Sequence, residues 1–230
     1  MAVTTAGMKA QLLLTAILTV GAPLAGADGP LVESLGHDVW VFHADAAARA
    51  EAVPSYALAV PAAPRPVTGP GPVLQPTFTT ENGRHGFRID TPPGTSFYGT
   101  GEVGGPLLRN GRTTVTWNTD AYGYSMETRS LYQSHPWVLA VRPDGSSFGV
   151  WADSTYRCEV DTGATVATEI RIACEGPRFP AVVIEGRGPE EVLRGLARLT
   201  GTMPMPPRWA LGWHQCRWSY YPDERVRNLR

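Results

Sequence analysis

The stretch Trp117-Asn118-Thr119-Asp120-Ala121-Tyr122-Gly123-Tyr124 holds a dense group of side chains suited to a sugar. Aromatic faces pack against pyranose C–H groups, and a carboxylate accepts hydrogen bonds from two neighbouring hydroxyls, so the pair orients a mostly polar ligand. The same Asn and Asp side chains also serve as ordinary loop caps, and the residues alone leave both roles open. Gly99, Gly101 and Gly104 spell a dinucleotide fingerprint. Gly105-Pro106 stands where the helix that would receive a pyrophosphate should begin, so these glycines read as a tight strand-end loop. Glu102 within it reads as a structural hydrogen-bond acceptor. His135 and His214 have no neighbouring group that would orient a general base. His135 precedes Pro136 at a strand start and reads as structural, and His214 as a satisfied core histidine. Three cysteines with no C-x-x-C spacing predict no zinc site. Cys158 and Cys174 lie in neighbouring strand-like segments and could pair, but buried free thiols are the expectation.

The elements that position these residues are mostly strands. Val39, Val41 and His43 alternate with Trp40 and Phe42, and residues 56–60, 87–89, 137–141, 148–151 and 182–184 continue the theme. Asn82-Gly83, Asn110-Gly111 and Asp144-Gly145 are turn dipeptides. Residues 61–76, rich in proline and glycine, read as a surface loop. Short strands at close intervals with almost no helical period predict a mainly β fold, an antiparallel sandwich over residues 28–188. A helix follows: Pro189, Glu190 and Glu191 open it, Val192, Leu193, Leu196 and Leu199 form its apolar stripe, and Gly201 ends it. Residues 189–207 thus form a connecting helix and a proline-rich linker.

The last stretch, residues 208–230, follows Pro206 and Pro207. From Trp209 to Trp218 both faces are largely apolar, the pattern of a strand covered on both sides. Pro222, Asp223 and Glu224, with Arg225, Arg227 and Arg230 behind them, suit a helix start, and Val226 and Leu229 would give it a buried side. A parallel strand needs neighbours beside it and helices over it, so the chain reads as the front part of a longer protein.

Net charge is −1, which predicts neither nucleic acid nor an anionic membrane as partner. Lys9 before an apolar run, followed by Ala25-Gly26-Ala27, predicts a cleaved signal over residues 1–27 and a secreted or periplasmic protein. No other stretch is long or apolar enough to cross a bilayer.

Phe97-Tyr98-Gly99-Thr100-Gly101-Glu102, residues 117–124, residues 131–153 and the phrase beginning Pro207-Arg208-Trp209 resemble glycoside hydrolase family 31, the α-glucosidase and α-xylosidase family, in order from Phe97 to the end. The resemblance implies a galactose mutarotase-like β-sandwich followed by the first βα unit of a truncated (β/α)8 barrel. It implies that Asp120 reaches over the barrel to the leaving-group side of an α-glycoside. Tyr220 would line the pocket for the reacting sugar, with Trp218 packed beneath and Arg217 in a barrel-facing network. Retaining cleavage needs two carboxyl groups ~5–5.5 Å apart. In this family both are aspartates on later barrel strands, so no catalytic residue is assigned here, and neither Asp120 nor Asp153 takes that role. No cofactor and no metal are expected, the partner is a carbohydrate substrate, and the oligomeric state is open. Two other classes remain. A free-standing carbohydrate-binding sandwich leaves the last stretch without purpose, and an aldose epimerase needs a His and Glu pair that cannot be assigned.

Overall fold

The computed structural model describes residues 30–58, 63–214 and 221–228. In chain order the elements are β1 (Leu31–Gly36), β2 (Val39–His43), α1 (Ala46–Glu51), β3 (Arg65–Pro66), β4 (Thr77–Glu81), β5 (Arg84–Asp90), β6 (Ser96–Gly101), β7 (Arg112–Thr116), β8 (Ser134–Val141), β9 (Ser147–Ala152), β10 (Cys158–Thr162), β11 (Glu169–Cys174), β12 (Ala181–Gly186), α2 (Pro189–Thr200) and α3 (Asp223–Arg227). Two antiparallel sheets form, a seven-stranded one in the order β3-β1-β2-β12-β9-β8-β6 and a five-stranded one in the order β4-β5-β11-β10-β7.

The sandwich closes because each strand turns one apolar face inward. Phe42, Phe87, Phe97, Phe148, Val150 and Ile172 are among the side chains of the core between the sheets. Strand β12 departs from simple alternation, since Ala181 and Val183 face that core while Val182 and Ile184 face the other way. A strand buried on both faces has no polar side to show, and α2 is what covers the outer one. Val192 and Leu199 of the helix pack with Val39, Val41, Val182 and Ile184 in this second core. Gly195 lets the helix approach closely, for a Cβ there would fall 2.6 Å from Ile184 Cγ2. Leu193, expected on the buried stripe, is 48% exposed. The helix sits on the sheet through Gly195 instead, which turns Leu193 outward.

Other expectations need correction. Of residues 56–60, expected to be a strand, 59 and 60 lie outside the described residues, and Ser55–Leu58 is one turn of 3-10 helix. Tyr56 is buried there edge-on to Trp151, with ring centroids 6.5 Å apart, so a local anchor overrides the strand pattern. Within residues 61–76, Arg65 and Pro66 form a short edge strand on β1, the position in a sheet where proline is tolerated, and Leu74 is buried in the core. Cys158 and Cys174 are direct cross-strand partners of β10 and β11 and form a disulfide, not free thiols. Sequence spacing does not set the register that brings them together.

Of the strand expected from Trp209 to Trp218, residues 215–218 lie outside the described residues, and residues 209–214 form no strand. Arg208–Leu211 is one turn of 3-10 helix, closed by Ala210 N–H to Pro207 O at 2.9 Å and Gly212 N–H to Trp209 O at 3.2 Å. No described strand lies beside it, so its backbone donors turn to local acceptors. Trp209 and Trp213 are 80% and 84% exposed. His214 is exposed, not a core residue, with Nε2 2.7 Å from Ala210 O. The helix expected after Pro222 is α3, although Val226 on it is exposed, not buried.

Candidate carbohydrate-binding site

Strand β7 ends at Thr116, and the chain leaves the sandwich in a long loop before returning as β8 at Ser134. The stem of this loop is pinned. Thr119 N–H reaches Leu131 O at 2.7 Å and Val115 N–H reaches Arg129 O at 2.9 Å. The Ser130 hydroxyl donates to Trp117 O, and Tyr132 OH donates to Ala121 O at 2.7 Å. Leu131 is buried and anchors the returning limb. Arg129 ties the stem to the sheet through Thr113 O at 3.1 Å and the Glu159 carboxylate at 3.2 Å.

On this fixed stem the candidate ligand groups point to solvent. Trp117, Tyr122 and Tyr124 are 55%, 89% and 63% exposed. Asp120 is exposed, and among the described residues its carboxylate makes no hydrogen bond, so both oxygens remain able to accept. Loop capping, the other role open to Asn118 and Asp120, finds no side-chain bond here; Ser and Thr hydroxyls do that work.

The glycine loop lies beneath. Gly104 N–H bonds Thr128 O at 2.9 Å, and a Cβ on Gly104 would fall 2.1 Å from Ser125 O. These glycines therefore serve close backbone approach to the loop above, and no helix follows them. Glu102 is exposed and bonds through its backbone N–H to Gln133 O at 2.8 Å. Among the described residues its carboxylate has no partner, so the acceptor role expected for it is not seen. Arg109, which nothing in the sequence singled out, is buried and donates Nη1 to Gly104 O at 3.0 Å and to Pro106 O at 3.2 Å, and Nη2 to Thr114 Oγ1 at 3.2 Å. Burial, with Arg112 nearby, holds its pKa below the ordinary arginine value.

Trp117 also forms one wall of a cleft of about 470 Å³, with Asn118 beside it and Tyr156 among the residues that line it. Tyr156 was not foreseen; it lies between β9 and β10 with no turn dipeptide or spacing to mark it. Asp153, just after β9, accepts from Ser55 N–H at 3.0 Å and from the Ser55 hydroxyl. Burial raises its carboxyl pKa, and the Ser55 bonds act against that. His135 is exposed at the start of β8. Tyr220, Trp218 and Arg217 lie outside the described residues.

A two-sheet antiparallel sandwich with one outer helix and a pinned aromatic loop defines a galactose mutarotase-like domain. Residues 35–161 match the glycosyl hydrolase 31 N-terminal galactose mutarotase-like domain, and residues 203–230 match the family 31 TIM-barrel domain. The chain belongs to glycosyl hydrolase family 31. It is 43% identical over 134 residues to alpha-glucosidase 2 of Bacillus thermoamyloliquefaciens, covering 58% of this chain and 17% of that protein. Among solved structures, the family 31 α-glucosidase of Bacteroides thetaiotaomicron is 49% identical with a TM-score of 0.55, covering 63% of this chain and 24% of that one. The dextranase of Flavobacterium johnsoniae, as a mutant complexed with isomaltotriose, is 27% identical with a TM-score of 0.59, covering 66% and 18%. The chain thus spans less than a fifth of the curated relatives it matches.

Proposed function

We propose that this chain is the sugar-facing N-terminal part of a retaining hydrolase of α-linked glucosides or related α-glycosides. The observation that carries the reading is Asp120, exposed and without a hydrogen-bond partner among the described residues, on a loop whose stem is fixed at several points. Such a carboxylate is set to accept from sugar hydroxyls at little reorganisation cost. Asp120 contacts the leaving-group side of the substrate and Tyr220 lines the pocket of the reacting sugar. Neither performs the bond cleavage, which needs two closely spaced carboxyl groups on barrel strands. The isomaltotriose bound to the dextranase relative supports an α-glucoside as the sugar class. The protein is exported, with residues 1–27 removed; N-terminal sequencing of the secreted or periplasmic protein should begin near Asp28.

The test is turnover of an aryl α-glucoside. The purified 230-residue chain should give none, and the same chain joined to a complete family 31 barrel should give measurable rates. In that joined protein, Asp120→Ala should lower kcat/KM about tenfold, on the order of one lost charge-assisted hydrogen bond. Turnover by the 230-residue chain alone, or an Asp120→Ala variant with unchanged kcat/KM, refutes the assignment.

A further inference from the structure

The outer face of the seven-stranded sheet carries a second cleft beside α2, with Asp120 not among the residues that line it. Trp137 of β8 and Trp151 of β9 are direct cross-strand partners. The Trp137 ring lies across Gly149, where a Cβ would fall 1.9 Å from Cη2, and Trp151 is braced edge-on by Tyr56. Both indoles are thereby held in place as an apolar platform at the sheet surface. Asp153 lines the same cleft, of about 440 Å³, and Ser134, Thr155 and Thr200 supply hydroxyls along it. Ser55 holds the Asp153 carboxylate, yet each of its oxygens keeps a lone pair to accept a further bond.

Ser134, Pro136, Ser154 and Thr155 also line the cleft at Trp117 and Tyr156, so the two clefts are neighbours. The cleft at Trp137 and Trp151 lies within the ~300–1,000 Å³ of sites that bury small ligands. The lining selects the chemistry. A phosphate or other anion would meet the Asp153 carboxylate with no lysine or arginine among the described residues that line the cleft to offset it. A purely apolar ligand would strip water from that carboxylate and the hydroxyls without replacing their bonds. A pyranose does neither, because its C–H faces suit the indoles while its hydroxyls reach the polar rim.

We propose that the cleft at Trp137, Trp151 and Asp153 is a second saccharide-binding site, which seats an oligosaccharide of α-linked hexoses on the outer sheet face beside α2 and takes no lining residue from the Asp120 loop. The α-linkage rests on the hydrolase reading above; the site itself rests only on the geometry of Trp137, Trp151, Asp153 and the hydroxyls around them.

The test is titration of the 230-residue chain with glucose, maltoheptaose and cellohexaose, followed by tryptophan fluorescence and by calorimetry. Maltoheptaose should bind at least tenfold more tightly than glucose or cellohexaose. Thr155→Arg, at an exposed residue that lines the cleft, should weaken maltoheptaose at least fivefold with an unchanged melting curve. Trp151→Ala should abolish it, checked for native circular dichroism because Trp151 also packs on Tyr56. Asp120→Ala should leave it unchanged. Binding that survives Thr155→Arg but is lost in Asp120→Ala overturns the site, as does a folded chain that binds none of the three sugars. Equal binding of cellohexaose overturns the α-linked assignment. Turnover by the chain joined to a barrel, measured in parallel, judges the hydrolase reading separately.

Discussion

Gly149→Ala sets two effects of known sign against each other on the outer sheet face. Gly149 sits between Leu139 of β8 and Ile184 of β12 and is not among the glycines with positive φ, so alanine fits its backbone. On that ground alone, removing a glycine from a strand interior should stabilise by ~0.5–1 kcal/mol. The new methyl, however, would fall 1.9, 2.6 and 2.7 Å from Cη2, Cζ3 and Cζ2 of Trp137. The indole is packed against the second core and cannot yield without leaving its place, and overpacking of this kind costs ~1–3 kcal/mol. The clash wins, for a net loss of about 1–2 kcal/mol. At ~2–4 °C per kcal/mol for a chain of this size, Tm should fall by about 2–8 °C. Thermal unfolding by circular dichroism measures it, and the near-UV tryptophan signal should change with it. In a Trp137→Leu background the obstacle is gone and Gly149→Ala should become neutral or stabilising, a coupling of ~1–3 kcal/mol. A Gly149→Ala protein that is more stable than the parent, with its near-UV spectrum unchanged, refutes the reasoning.

Three further outcomes follow from the same structure. His43 is buried, and desolvation holds its pKa below the ordinary 6.5 against the Glu33 carboxylate, with Arg49 adding to the depression. Its stabilising contribution is fully present above about pH 6.5 and is lost as the pH falls from there through the lowered value. Urea midpoints should therefore drop between pH 7.5 and 5, and His43→Gln should flatten that slope; an unchanged slope counts against it. The Cys158–Cys174 disulfide closes a loop with a sequence separation of 16. Replacing both cysteines by alanine should cost about 3 kcal/mol in urea unfolding, whereas an unchanged midpoint would mean that the loop gains nothing from closure. Trp209 and Trp213 are open to water. Changing both to phenylalanine should remove the fluorescence component most easily quenched by iodide while leaving Tm within about 1 °C, as for surface sites.

What could be read in the sequence was whatever depends on local pattern. Alternation in residues 39–43, the turn dipeptides and the Pro189 to Gly201 signals each report a neighbourhood of a few residues, and each corresponds to an observed element. The absence of a helix after the fingerprint glycines, expected from Gly105-Pro106, is also a local fact. The errors fall where a distant partner decides. Cys158 and Cys174 meet through a register that no spacing encodes. Residues 55–58 take the shape imposed by Trp151 and Asp153, nearly a hundred residues away. The apolar run after Arg208 carries a strand pattern, but a strand is a property of at least two segments, and among the described residues the second is lacking. Asp120 stands out by its neighbours in sequence and by family resemblance, whereas Asp153 and Tyr156 each border a cleft that only the packed strand ends create.

An exposed carboxylate such as Asp120 costs little, since water satisfies it, and exposure by itself argues for nothing. The stronger indication is what lies under the loop. Thr100 is a buried, β-branched residue at φ 71°, and Gly101 beside it leaves no room for a Cβ, which would fall 2.6 Å from Gln133 O. Arg109 is a buried cation whose bonds go to two carbonyls and a hydroxyl, with Nε left without a partner. Thr100 and Arg109 each carry a penalty on the order of 1–3 kcal/mol, while Gly101 meets its close approach without one. Thr100 and Gly101 sit where β6 meets the start of β8, and Arg109 holds the carbonyl of Gly104, whose N–H bonds Thr128 O at the foot of the loop. A loop braced in this way, with its aromatic tip and its carboxylate facing solvent, is one whose geometry can matter to something outside the sandwich, and that is the physical ground for the proposal that Asp120 contacts the sugar.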